Sequence, residues 1–167
     1  MNGSNTLAIR VLGLGDSGRK AAPSVAQAVQ DLWSDIASIG ILDAGDDPPL
    51  VDRVIRRWCD REKVDVVLTV GRSGHEGVDF APGLTAKLLT RGLPGVEERM
   101  HLASSRRPLD LLFCGRAGMR EQTFVVNLPD RPLRARAIVR FLAPVVGHAI
   151  EKARGSERDC AAHGARA

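Results

Sequence analysis

Aromatic residues are scarce in this sequence. It contains no tyrosine, and aromatic residues make up 4% of its 167 positions. Proteins that bind single-stranded nucleic acids stack bases on aromatic side chains, so this scarcity argues against such a partner. The net charge of +4 still favours an anionic ligand, but the arginines are interleaved with acidic residues rather than gathered into one basic stripe. We therefore expect a small phosphorylated ligand, and nucleic acid is an unfavoured partner.

Cysteines and long apolar runs are also scarce. Cys59, Cys114 and Cys160 are odd in number and have no C-x-x-C spacing, which argues against both a disulfide framework and a zinc site. No stretch approaches the roughly 18 apolar residues of a membrane helix. The polar start MNGSNT lacks the charged-then-apolar order of a secretion signal. These absences predict a cytoplasmic protein with no membrane segment.

Apolar residues, at 44% of the chain, are sufficient to build the core of one domain. We expect this domain over residues 1–154, with a disordered tail at 155–167. Short apolar runs alternate with segments whose apolar residues recur at helical spacing. The runs predict strands at residues 7–14, 36–42, 64–70, 110–114 and 123–127. The other segments predict helices that follow Pro23, begin at Pro48 and Pro132, and cover residues 84–89 and 96–103.

Strands that alternate with amphipathic helices are typical of one fold class. They predict an α/β fold of three layers, in which a doubly wound, mostly parallel sheet has helices on both faces. Asp47 directly precedes Pro48, and Asp130 lies two residues before Pro132; each aspartate is expected to cap the helix that follows. Ligands of such folds bind beyond the carboxyl ends of the strands. The loops expected there are residues 15–22, 43–47, 71–82, 115–121 and 127–131.

The segment TVGRSGHEGVDFAP, at residues 69–82, is the strongest functional pattern. Gly71, Gly74 and Gly77 would let backbone N–H groups approach an anion, and Ser73 adds a hydroxyl donor. The segment has neither the phosphate-binding P-loop pattern nor a complete dinucleotide-binding fingerprint. A turn that merely requires glycines is the alternative interpretation.

Acidic residues lie close to the predicted strand ends. Asp79 belongs to the glycine-rich segment, and Asp46 follows the second predicted strand. Together they could hold Mg²⁺ against phosphate groups, because this ion binds one or two carboxylates in addition to phosphate oxygens. Asp16 follows the first strand in the same way. The alternative is that these acids are caps or solvated loop residues.

The order of these motifs resembles the molybdenum-cofactor biosynthesis family that includes the molybdopterin adenylyltransferases. TVGRSG and GVDFAP have the spacing of that family's T-x-G-G-T-G and P-R-D-V-T-P segments, so Asp79 falls on its catalytic acid. Trp58 and Asp46 fall, without a gap, on a helix tryptophan and a second functional aspartate. AGMREQTFVVNLPDRP is similar to the family's A-G-x-R-G-x-T segment and the N-L-P-G-x-P that follows it, and Asn127 and Pro129 are retained.

This resemblance implies a trimeric α/β protein that activates molybdopterin with ATP and Mg²⁺ by adenylyl transfer. Its partners would be a small pterin and a nucleotide. Asp46 and Asp79 would be the catalytic residues and would also hold Mg²⁺. The positions implied to bind the ligands are Asp16, Ser17, Gly71, Arg72, Ser73, Gly74, Gly118, Asn127 and Pro129.

The sequence differs from the family pattern at four places. Arg72 replaces the second glycine of the glycine-rich loop, where it could either clamp a phosphate or block it. Phe113 and Cys114 replace a serine-arginine pair, Asp130 replaces a glycine, and the loop after the first strand is shorter. These differences leave three possibilities: an active but divergent enzyme, a binding or assembly module that has lost catalysis, or an enzyme for another phosphorylated pterin or nucleotide. An apolar surplus at Phe113, Phe124 and Leu133 favours self-association.

Overall fold

The computed structural model describes residues 6–74 and 79–155 and contains one six-stranded sheet. The strands are β1 (Leu7–Leu14), β2 (Ile36–Gly45), β3 (Val66–Val70), β4 (Arg91–Gly92), β5 (Ala117–Arg120) and β6 (Thr123–Leu128). Their order across the sheet is β2-β1-β3-β6-β5-β4. The neighbours among β2, β1, β3 and β6 are parallel, whereas β5 and β4 are antiparallel to the strands beside them.

Five α-helices cover the sheet: α1 (Gly15–Leu32), α2 (Pro48–Arg56), α3 (Ala81–Leu88), α4 (Pro94–Ser104) and α5 (Pro132–Ala153). A π-helical turn, Arg57–Arg61, extends α2, and a 3₁₀ turn covers Pro108–Leu112. Buried residues of α1, α4 and α5 pack against one face of the sheet, and those of α2 and α3 pack against the other. The predicted three-layer, doubly wound, mostly parallel fold is confirmed.

The centre of the sheet consists of β3, whose residues are all buried. Val66, Leu68 and Val70 face the core layer of α1 and α5, while Val67 faces the layer of α2 and α3. A strand covered on both faces requires a continuous apolar run, which is why the sequence VVLTV was recognisable. This strand leads directly into the glycine-rich segment.

The strand predicted at residues 110–114 is wrong. Asp110 is buried, and its carboxylate accepts hydrogen bonds from the backbone N–H groups of Arg106 and Arg107, at 3.0 Å each. These bonds hold the chain in the 3₁₀ turn, and the leucines beside Asp110 are exposed. The two antiparallel strands of the sheet instead come from β4 and β5, at positions where the sequence predicted turns.

The loop predicted at residues 15–22 is also wrong, because these residues form the first turns of α1. Gly15 has φ +64° and turns the chain from β1 straight into the helix, while Pro23 lies inside the helix rather than before it. Asp47 caps α2 as predicted, since its Oδ1 accepts from the N–H of Leu50 at 3.1 Å. Asp130 does not cap α5, whose first flanking residue is Arg131 and which has no side-chain cap.

Two remaining expectations concern the core and the ends of the chain. Phe113 and Phe124 are buried, but Leu133 is 83% exposed. None of the helices in residues 6–74 and 79–155 has the length and apolar character needed to cross a membrane. The predicted tail lies outside the described residues except for Gly155, as does Gly77 of the glycine-rich segment. The domain boundary at 154 therefore stays a prediction.

Candidate functional site

Two cavities lie beyond the carboxyl ends of the parallel strands. The larger, of about 450 Å³, is bounded by the segment after β3, the 3₁₀ turn, and the segment that joins β6 to α5. Its lining comprises Ser17, Arg72, Ser73, Gly74, Asp79, Leu109, Leu112, Phe113, Pro129, Asp130, Arg131 and Arg134. The smaller, of about 240 Å³, is lined by Gly15, Asp16, Arg19, Asp43, Gly45, Asp46 and Arg72. Arg72 lines both cavities.

The structure brings most of the predicted site residues to these two cavities. Six of them line the larger cavity: Ser17, Arg72, Ser73, Gly74, Asp79 and Pro129. Asp16 and Asp46 line the smaller one together with Arg72. Residues far apart in the sequence therefore meet where ligands of doubly wound folds bind.

An ion pair between Arg72 and Asp46 is the dominant electrostatic feature of the site. Nε of Arg72 donates to Oδ1 of Asp46 and Nη2 donates to Oδ2, both at 2.6 Å. The hydrogen bonds from Arg72 lower the pKa of the Asp46 carboxyl below its ordinary value. Arg72 has φ +49°, in the left-handed region that favours glycine. A glycine at this position would adopt that backbone conformation without strain.

Asp79 lies in the larger cavity, close to the backbone of Gly74. A Cβ atom added at Gly74 would lie 2.5 Å from Oδ2 of Asp79, so the carboxylate would have to move if a larger residue stood there. Asp79 and Asp46 line different cavities, and Arg72 contributes to the wall of each.

The predicted Mg²⁺ site does not fit this arrangement. Mg²⁺ needs carboxylate oxygens that are free to coordinate it, but both oxygens of Asp46 accept hydrogen bonds from Arg72. Within the described part of the chain, no three side chains of His, Cys, Asp or Glu are grouped closely enough to hold a metal ion. A metal at Asp46 would have to displace the guanidinium.

Gly71, predicted to bind a ligand, has a packing role in the structure. It is buried with φ +93°, and its N–H donates to the carbonyl of Leu128 at 3.0 Å. A Cβ atom there would lie 2.6 Å from the carbonyl oxygen of Leu14. The N–H of Gly71 is therefore bonded to β6 and does not face an anion. For Gly71 this agrees with the alternative interpretation, in which the turn merely requires a glycine.

Asn127 likewise uses its side chain inside the protein. Its Nδ2 donates to the hydroxyls of Thr69 and Thr85, at 2.8 Å each, and its Oδ1 accepts from the N–H of Arg116 at 3.0 Å. The side chain is fully buried. It ties β6 to β3, to α3 and to the segment before β5, which positions the loop that begins at Pro129.

Two other residues predicted to bind ligand, Ser73 and Gly118, make contacts within the protein instead. Ser73 is buried and its hydroxyl donates to the carbonyl of Leu128 at 3.2 Å, although the residue still borders the larger cavity. Gly118 is not brought to the site, since it lies in β5 and pairs with Gly92 of β4 at the far edge of the sheet. The prediction that Gly118 binds ligand is not supported by its position.

Arg131 and Arg134 were missed by the sequence analysis. Both line the larger cavity from the start of α5. The guanidinium of Arg134 donates to the carbonyl oxygens of Ser104 and Asp110 and lies 5.6 Å from the centre of the Phe113 ring. Its burial lowers its pKa, although an arginine still remains charged at neutral pH. The signal available in the sequence was the pair of arginines that follows the retained N-L-P segment and Asp130.

With this geometry in place, comparison with known proteins identifies the family. Residues 10–148 match the family described as "Probable molybdopterin binding domain". The chain belongs to this family. The matched region contains the lining residues of both cavities. The fold and the family expected from the sequence are thereby confirmed.

Relatives in this family have names connected with the molybdenum cofactor. A Helicobacter pylori protein named molybdopterin adenylyltransferase is 28% identical over 107 residues, which cover 64% of this chain and 61% of that protein. The chain thus spans about three fifths of that relative. A Drosophila melanogaster protein, molybdenum cofactor synthesis protein cinnamon, is 25% identical over 134 residues, covering 78% of this chain and 22% of that protein.

Solved structures show the same fold. The molybdopterin biosynthesis enzyme MoaB from Thermus thermophilus has a TM-score of 0.75 and 31% identity, with 90% of this chain and 98% of that chain covered. The molybdopterin biosynthesis Mog protein from Mycobacterium ulcerans has a TM-score of 0.80 and 23% identity, with 91% and 99% covered. At that lower identity the second likeness concerns the fold alone.

Proposed function

We propose that this chain binds molybdopterin in the larger cavity, as part of molybdenum-cofactor biosynthesis. The observation that carries the proposal is the meeting of Ser73, Gly74 and Asp79 with Pro129 at one cavity. These are the residues that the family resemblance singled out, and they come from two segments far apart in the chain. Membership of the molybdopterin-binding family supports the same ligand.

The chemistry of the cavity suits a flat ring that carries a phosphate. Leu109, Leu112 and Phe113 provide apolar surface for the ring on one side. Arg131 is exposed, and the contacts within residues 6–74 and 79–155 give its side chain no ion-pair partner. Its guanidinium can therefore accept a phosphate group in a forked arrangement.

Titration of the purified protein with molybdopterin in an isothermal calorimeter tests this proposal. Arg131→Ala should weaken binding by at least about tenfold, the loss of one charged hydrogen bond. Arg140→Ala is the matched control, because Arg140 is an exposed arginine of the same helix that does not line the larger cavity. The proposal fails if the native protein does not bind molybdopterin, or if both variants lose affinity equally.

We further propose adenylyl transfer as the reaction, favoured by the smaller cavity beside the first. In this reaction a phosphate oxygen of molybdopterin attacks the α-phosphorus of ATP, and the bond to pyrophosphate breaks. Arg19 and Arg72 line the smaller cavity and would compensate the charge of the nucleotide phosphates. Asp79 would act from the larger cavity on the attacking group. No step is assigned to Mg²⁺, because Asp46 is paired with Arg72.

The alternative to an adenylyl-transferring enzyme is a module that binds molybdopterin without catalysis. The Arg72–Asp46 ion pair favours this alternative, and product analysis distinguishes the two. Protein, molybdopterin and ATP are incubated, and adenylylated molybdopterin is measured by chromatography. An active enzyme makes the product and loses it in Asp79→Asn, whereas a binding module makes none despite binding the pterin. A thermal-shift screen of other phosphorylated pterins and nucleotides tests the third possibility, since a ligand that binds the native state raises Tm.

Self-association is the remaining part of the proposal, and the family resemblance implies a trimer. Leu109, Leu111 and Leu133 are 77%, 69% and 83% exposed, and large exposed leucines are costly to leave in water. We expect sedimentation to show an oligomer and Leu111→Arg to dissociate it. A native protein that sediments as a monomer would contradict this part. The cytoplasmic location stays a prediction.

A further inference from the structure

The Arg72–Asp46 ion pair occupies the whole carboxylate of Asp46. The two donors, Nε and Nη2, contact different oxygens at equal distances of 2.6 Å. Forked arginine–carboxylate pairs of this kind are short and directional because both hydrogen bonds are charge-assisted. A divalent ion and the guanidinium would compete for the same two oxygens.

The absence of a side chain at Gly15 leaves space for the ion pair. A Cβ atom added at Gly15 would lie 2.8 Å from Nε of Arg72 and 3.0 Å from Oδ1 of Asp46, which is too close for either atom to stay in place. Gly15 is also the residue that turns β1 into α1. The start of the helix therefore leaves the space in which the guanidinium lies.

The surroundings of Arg72 are those of a bound cation. Asp46 hydrogen-bonds to the guanidinium and raises the pKa of Arg72, and the charges of Asp79 and Asp130 act in the same direction. Carboxylates that approach one point from three segments repel one another unless a cation lies between them. Arg72 supplies one positive charge at that point.

We infer that Arg72 is the resident cation of Asp46 and takes the place that a divalent metal would otherwise occupy there. The guanidinium has further N–H groups that Asp46 does not use, and no described residue accepts from them. Since Arg72 lines both cavities, these groups are free to contact a ligand anion. The contact with a ligand anion rests on the proposed function, whereas the exclusion of a metal from Asp46 does not.

Manganese binding tests the inference without any pterin or nucleotide. Mn²⁺ serves as the probe, and electron paramagnetic resonance measures how much of it stays free in titrations of the native protein and its variants. We expect the native protein to bind little Mn²⁺, and Arg72→Gly to bind it at least about tenfold more tightly. The double variant Arg72→Gly/Asp46→Asn should lose this gain. Glycine suits φ +49° at position 72, so Arg72→Gly should fold, which circular dichroism checks.

Arg56→Ala is the matched control, because Arg56 also pairs with an aspartate, Asp52, but lines neither cavity. It removes the same charge and should leave Mn²⁺ affinity nearly unchanged. Two results would overturn the inference: Arg72→Gly that binds Mn²⁺ no more tightly than the native protein, or an equal gain in Arg56→Ala. If the protein fails to bind molybdopterin, the proposed function is wrong, but the Mn²⁺ titrations still test the role of Arg72.

Discussion

Removal of the Asn127 side chain should weaken the fold rather than the ligand contacts. Asn127→Ala deletes three hydrogen bonds, two donated by Nδ2 and one accepted by Oδ1. It also leaves the hydroxyls of Thr69 and Thr85 buried without that partner. A net loss of about 1 kcal/mol for each hydrogen bond gives a decrease of about 3 kcal/mol in the free energy of unfolding. In a chain of this size that corresponds to a fall in Tm of roughly 6–12 °C.

Urea unfolding, followed by tryptophan fluorescence, measures this decrease, because Trp33 and Trp58 are both buried. Thr85→Val is the companion variant, since it deletes one of the three hydrogen bonds with little change in volume and should cost about 1 kcal/mol. In the Thr85→Val background, Asn127→Ala should cost less than in the native protein, because the deleted bond is shared. An unchanged m value would show that the unfolded states are comparable.

The predicted structural role of the Asn127 amide is refuted if Asn127→Ala lowers the free energy of unfolding by less than about 1 kcal/mol. It is equally refuted if the variant keeps its stability and loses molybdopterin binding, since the amide would then contact the ligand.

Further predictions concern backbone geometry and a buried thiol. Gly71→Ala should destabilise the protein by more than about 2 kcal/mol, because φ is +93° and the added Cβ meets backbone. The control Gly83→Ala, at an open position inside α3, should stabilise it by up to about 1 kcal/mol. Urea unfolding of both variants gives the comparison, and equal effects would contradict it. Burial raises the pKa of Cys59 from 9.0 to about 11, so the folded state holds this proton more tightly than the unfolded state does. Stability is then fully present below about pH 9 and falls by up to about 1.4 kcal/mol per pH unit as the pH rises towards 11. Cys59→Ala should show a smaller decrease over that range, and a slope identical to that of the native protein would exclude Cys59 as its cause.

Strands β1, β3 and β6 could be predicted because they are covered on both faces. Such strands need uninterrupted apolar runs, and residues 64–70 form one of the clearest in the chain. Asp47 followed by Pro48 marked the start of α2 for an equally local reason. The carboxylate of Asp47 accepts from a first-turn N–H, and Pro48 has no N–H that would need a partner. These features depend on neighbours in the sequence, and the sequence therefore contains them.

The antiparallel edge could not be predicted from the same kind of pattern. Strand β4 has two residues and β5 has four, which is too short for an alternation of apolar and polar residues to be recognised. The apolar run at 110–114 led to a wrong strand prediction for a different reason. Its leucines are exposed, whereas an apolar run is normally a sign of burial.

The candidate site was predicted by spacing but not by hydrogen bonding. The positions of Ser73, Asp79 and Pro129 relative to one another follow from the strand order, so family spacing placed them at one cavity. Whether the N–H of Gly71 or the amide of Asn127 faces a ligand depends on distant residues that accept or donate hydrogen bonds. No local pattern contains that information.

Arg72 belongs to the walls of both cavities, and this shared position has a thermodynamic consequence. A ligand that draws the guanidinium towards one cavity also changes the charge and volume of the other. Occupancy of one cavity then alters affinity at the second, and linkage requires the reverse effect to have the same magnitude. Two binding constants measured separately would not describe such a protein, because each would depend on the concentration of the other ligand.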